Sequence, residues 1–86
     1  MTEVTRGYTT LFVRKVEGAD QTLPVIQFAR LCIDREMPIA SIALRLGVTR
    51  ATVYNWFTGK ATPRARHIEA IRKLAKRYEA KALRRG

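Results

Sequence analysis

The stretch IASIALRLGVTRATVYNWFT, residues 39–58, decides how the chain is read. Ile39, Ile42, Ala43 and Leu46 recur at helical spacing and predict a short helix over Ile39–Leu46. Gly47 follows where a left-handed residue closes a helix. Thr49 is a good N-cap for a second short helix, Arg50–Phe57. Two helices that meet at so tight a turn cross steeply and pack closely, which makes three demands. A small residue must sit where the second helix passes over the first, and Ala43 does. A residue tolerant of positive φ must open the turn, and Gly47 does. Apolar residues must pin the second helix down, and Val48, Val53 and Trp56 do. Ala43, Gly47, Val53 and Trp56 stand four, six and three residues apart. Trp56 belongs to the core in this reading.

Working towards the N-terminus, Met37-Pro38 is expected to end a preceding helix over Leu23–Glu36, because the residue before proline is driven out of the α region. Leu23, Ile26, Ala29, Arg30 and Ile33 form one stripe of that helix, widened by Val25, Phe28, Leu31 and Cys32. Pro24 is harmless in its first turn. Gly18–Thr22 reads as a turn. Tyr8–Val16 fits either a short strand or a helix capped by Thr9 or Thr10; the helical company it keeps favours the helix. Towards the C-terminus, Gly59 stops the second short helix. Thr62-Pro63 pairs a cap with a first-turn proline, and a long helix begins at Arg64. Ile68, Ile71, Leu74, Ala75, Tyr78 and Leu83 share one of its faces. The expected fold is all-α: a compact domain of four to five helices with a basic C-terminal helix. The division is an N-terminal extension, 1–22, in helix or strand, and a helical domain, 23–86.

Among the 86 residues, 17 Lys and Arg stand against 7 Asp and Glu, a formal net charge of +10. The charge is segregated. Residues 60–86 hold ten basic groups against Glu69 and Glu79, whereas residues 1–37 are balanced. Such an excess suits an anionic partner: DNA, RNA or an acidic membrane surface. A single cysteine, Cys32, excludes an intrachain disulfide, and one Cys with one His, His67, cannot make a Cys/His zinc site. Cys32 reads as a small core side chain and His67 as a surface or capping residue. Neither a nucleophile motif, a paired-carboxylate pattern nor a phosphate loop is present, so the chain reads as a non-enzyme without metal or cofactor. No secretory signal and no membrane-length apolar run is seen, which points to the cytoplasm and its nucleoid.

Residues 39–58 resemble the helix-turn-helix of the phage Cro/repressor type, the XRE-like family. The resemblance extends from near Leu23 to near Ala75, because that family commonly follows its second motif helix with a glycine, a short basic loop, a proline and another helix. Gly59, Lys60, Pro63 and the helix from Arg64 repeat that order. The resemblance implies double-stranded DNA as partner. It places base contacts at Arg50, Ala51 and Asn55, and backbone contacts at Thr52 and Thr58. The chemistry agrees: Arg can grip guanine N7 and O6, Asn adenine N6 and N7, and Ala can meet a thymine methyl. Thr49, Lys60, Arg64 and Arg66 are further candidates for the backbone, and Arg72, Lys73, Lys76, Arg77, Lys81, Arg84 and Arg85 continue the basic run. Tyr54 reads equally as packing or as a DNA contact. The family usually opens the first motif helix with Ser or Thr and then a phosphate-touching Gln. This chain has Pro38 and Ile39 there, which leaves Ser41 and Arg45 as substitutes.

The expected function is a sequence-specific transcriptional regulator, a phage-like repressor that binds a palindrome as a homodimer. The alternative is a DNA-binding adaptor in a packaging, recombination or plasmid-maintenance assembly, with a protein partner on residues 1–22 or the C-terminal helix. A third reading, a basic module for RNA or anionic membrane, leaves the Ala43/Gly47/Val53/Trp56 pattern without a purpose.

Overall fold

A computed structural model describes the backbone of residues 4–5 and 8–84 and the side chains of residues 8–80. Five helices follow a minimal antiparallel ribbon. β1 (Val4–Thr5) pairs with β2 (Tyr8–Thr9), Val4 opposite Thr9 and Thr5 opposite Tyr8. Then come α1 (Thr10–Glu17), α2 (Pro24–Asp34), α3 (Ile39–Leu46), α4 (Arg50–Phe57) and α5 (Ala65–Arg84). The two readings of Tyr8–Val16 are thus both realised in sequence. Tyr8 and Thr9 are extended, and the Thr9 hydroxyl then accepts from the Phe12 N–H at 3.2 Å and starts α1. The two-residue strands lie in the N-terminal extension, where the sequence allows helix or strand, and the fold is all-α as expected.

The turn after α1 is tied by side chains. Asp20 Oδ1 accepts from the Thr22 amide and hydroxyl at 2.9 and 2.6 Å. These two bonds hold the Asp20 carboxyl below its ordinary pKa. The Gln21 amide folds back and donates to the carbonyls of Val16, Glu17 and Ala19, covering the open end of α1.

Two helix boundaries differ from those the sequence predicts. α2 stops at Asp34, two residues short of Glu36, because Glu36 itself turns left-handed with φ 56°. The reversal closes on the helix: the Glu36 N–H donates to Ile33 O and the Met37 N–H to Cys32 O at 2.8 Å. The Tyr8 hydroxyl donates to the Met37 carbonyl and fixes this reversal from the far end of the chain. Likewise α5 starts at Ala65, not Arg64. Pro63 is buried ahead of it, and the Arg64 carbonyl receives the first bonds, from His67 and Ile68. Thr62 therefore lies outside the helix and does not cap it.

The left-handed Glu36 carries a test. An L-residue with a side chain is strained there by about 1–2 kcal/mol, while glycine adds roughly 0.5–1 kcal/mol of chain entropy to the unfolded state. Glu36→Gly is expected to raise stability by about 0.5–1 kcal/mol, read as a higher urea midpoint. A lower midpoint would mean that the residue does not hold this conformation in solution.

One hydrophobic cluster unites all five helices. Its spine is aromatic. Tyr8 stacks on Phe12 at 5.2 Å, Phe12 meets Phe57 at 6.4 Å, Phe57 meets Phe28 edge-on at 5.9 Å, and Phe28 stacks on Tyr78 at 6.0 Å. The ladder runs from the ribbon through α1, α4 and α2 to α5, and Ile26, Ile42, Val53 and Ile71 fill the space around it. Cys32 is fully buried in the same cluster, and burial pushes its thiol far above the usual range, which leaves it without thiolate reactivity.

Candidate nucleic-acid interface

The turn between α3 and α4 positions everything else at the site. Gly47 sits at φ 71°, ψ 33°, and the Val48 N–H donates to Ala43 O at 3.0 Å. A Cβ at Gly47 would meet no atom within 4 Å, so the demand for glycine here is torsional rather than steric. Ala43 is buried at the crossing, Val48 is half-buried, and Val53, Trp56 and Phe57 turn the inner face of α4 into the core. Phe57 was missing from the sequence-derived motif core, yet it is as deeply buried as Val53. The signal was its spacing of four from Val53.

The outer face of α4 carries the three candidate base-reading residues. Arg50 and Ala51 are exposed; Asn55 is half-buried. The Asn55 carbonyl receives the Lys60 and Ala61 N–H groups at 2.9 and 3.2 Å, closing the loop after the helix. Among the described residues, no hydrogen bond engages its side-chain amide, so its donor and acceptor are not committed within the chain.

The candidate backbone contacts are less equivalent than the sequence implies. Thr49 Oγ1 caps α4 by accepting from the Thr52 N–H at 3.1 Å, and the two threonine hydroxyls also bond each other at 2.8 Å. One hydroxyl hydrogen is consumed in that contact. The pair therefore has one O–H left for a phosphate, not two. The Thr58 hydroxyl donates to the Tyr54 carbonyl at 2.8 Å, so a phosphate contact from its O–H requires a rotation. Lys60, Arg64 and Arg66 are exposed around the loop and the start of α5. On α5, Arg72, Lys73, Lys76 and Arg77 are exposed; the side chains of Lys81, Leu83, Arg84 and Arg85 lie outside the described residues. Ser41 is half-buried, and Arg45 lines a groove between α3 and α5 with Leu74 and Arg77.

Two elements flank α4. On one side Trp56 meets His67 of α5, ring centres 5.2 Å apart. On the other, Phe12 of α1 meets Tyr54 at 5.3 Å. Tyr54 is thus a packing residue whose hydroxyl still reaches the surface, where Lys15 Nζ donates to it at 3.3 Å. Lys15 appears in no sequence-derived site: it lies 39 residues before Tyr54, and no local pattern joins them.

Among the described residues no cluster of His, Cys, Asp and Glu could hold a metal ion, and no helix is long and apolar enough to cross a membrane. A family model described as helix-turn-helix matches residues 28–79, from Phe28 within α2 to Glu79 within α5. No curated protein and no solved structure matches the chain. The matched segment covers more than half of the sequence and contains the α3–Gly47–α4 turn; the chain belongs to the XRE-like helix-turn-helix family of DNA-binding transcription regulators.

Proposed function

We propose that this protein is a sequence-specific regulator, a repressor of the phage type, that inserts α4 into the major groove of double-stranded DNA. The observation that carries the reading is the two-sidedness of α4. Val53, Trp56 and Phe57 hold it to the body, while Arg50, Ala51 and the unengaged amide of Asn55 lie on its remaining surface. Arg50 would take guanine, Asn55 adenine, and Ala51 a thymine methyl. The Thr49–Thr52 pair, Lys60, Arg64 and Arg66 would hold the sugar–phosphate strands, with Thr58 joining them after rotation; these contacts set the register without reading bases. The exposed cations of α5 add attraction to any duplex. Binding as a homodimer would place two α4 helices one helical turn apart on a palindrome, and occupancy of a promoter would block transcription. In this role the protein works in the cytoplasm, on nucleoid DNA.

Selection from random duplex DNA with the purified chain tests this. The expected product is a palindromic consensus with half-sites spaced by about 10 base pairs. Duplex DNA retained without any consensus would replace the repressor reading with that of a DNA-binding adaptor.

A further inference from the structure

α1 lies ahead of the segment that the family model matches, yet it touches α4 through two side chains, Phe12 and Lys15. Phe12 is the anchor, packed on both Tyr54 and Phe57. Lys15 stands one turn further along the same face of α1, as residues three apart do. Its ammonium donates to the Tyr54 hydroxyl at 3.3 Å and sits 5.7 Å from the centre of the Tyr54 ring, within reach of a cation–π contact.

This pair has the chemistry of an anion clamp. The Tyr54 oxygen accepts from Lys15, so its own hydrogen is free to donate elsewhere. The ammonium has three N–H groups and uses one in this bond. Two adjacent donor groups therefore remain, two ammonium N–H and one hydroxyl O–H, and the neutral hydroxyl leaves the ammonium charge uncancelled. The position narrows the ligand. A helix in the major groove has a sugar–phosphate strand on each side. The start of α5, with Arg64 and Arg66 exposed, borders α4 on the Trp56 side. Lys15 and Tyr54 lie on the other flank, beside Phe12 of α1.

We infer that Lys15 and Tyr54 together bind a backbone phosphate of duplex DNA on the α1 flank of α4, which makes α1 part of the DNA-binding surface. The inference rests on α4 entering the groove as proposed above. It also assigns Tyr54 a double role, with its ring in the core and its hydroxyl on the ligand.

The test is the salt dependence of duplex binding by the full chain, with Lys15→Met, Lys15→Arg and Tyr54→Phe. Lys15→Met keeps the aliphatic stem against the ring and removes the charge. It should weaken binding to every duplex alike and flatten the plot of log Kd against log salt by about 0.9. Lys15→Arg should keep the parental slope. Tyr54→Phe keeps the packing and removes a neutral donor, so it should weaken binding with the slope unchanged. Combined with Lys15→Met it should lose less than the product of the two separate effects, because the pair shares one phosphate. Urea midpoints of all variants should match the parent, since both changed groups lie at the surface. A parental slope in Lys15→Met, or a loss confined to one DNA sequence, would overturn the clamp while leaving α4 in the groove. Absence of duplex binding by the parent chain would overturn the groove reading and the clamp with it.

Discussion

Phe57→Ala is expected to destabilise the domain by about 3–5 kcal/mol, the usual cost of emptying a buried phenylalanine site. Phe57 has 0% exposure and meets Phe12 of α1 on one side and Phe28 of α2 on the other. Its removal therefore breaks the aromatic ladder at the middle, where neighbours from α1 and α2 would have to move together to refill the void. An 86-residue domain has a total stability on the order of 5–10 kcal/mol. The variant would lose between about a third and all of that, and its DNA binding would weaken along with the fold, because α4 would lose a main anchor. Urea unfolding measures the effect, with Phe57→Leu as a milder companion that keeps most of the volume. A loss below about 1 kcal/mol for the alanine variant would show that Phe57 is not an interior anchor.

Arg50→Ala should do the opposite: leave the fold alone and remove a binding term. Arg50 is exposed and alanine is the better helix former at that position, so the urea midpoint should hold or rise slightly. In the proposed groove geometry the guanidinium grips one guanine, and its loss should lower affinity for the selected site by roughly 1–3 kcal/mol and erase the preference at a single base pair. Non-specific duplex should suffer much less, since only a diffuse positive charge is lost there. The measurement is Kd for the consensus and for its single-base variants, in parent and Arg50→Ala side by side. A variant with an unchanged base preference would place Arg50 off the bases and require a different docking of α4.

The helix-turn-helix was legible because every device that builds it is local. Gly47 announces the left-handed stop, Thr49 supplies the next cap within three residues, and Ile42, Ala43, Val53 and Trp56 show their inward faces by spacing alone. The places where the sequence misled depend on partners far away. Nothing near Glu36 says that it will turn left-handed two residues before the proline; the Tyr8 hydroxyl on the Met37 carbonyl holds that reversal from 29 residues upstream. The start of α5 shifted because Pro63 is drawn into the core and leaves Arg64 to take the first helical bonds. At the site, residue types could nominate threonines but could not count their protons. The Thr49–Thr52 bond and the bond from Thr58 to the Tyr54 carbonyl are visible only in three dimensions. The Lys15–Tyr54 pair was out of reach for the same reason: α1 had two local readings, and neither told which helix it would lean on.

α4 is gripped on both sides, by Phe12 and by His67, and its own Val53 and Phe57 are sunk in the core beneath it. An eight-residue helix has little intrinsic stability of its own. Here tertiary packing holds it in place before any ligand arrives, so docking would not have to freeze a fraying segment, and the entropy loss on association would be correspondingly smaller. Discrimination between sequences would then come from how well the DNA fits a surface that does not yield, and the deformability of the duplex becomes the variable that gives way.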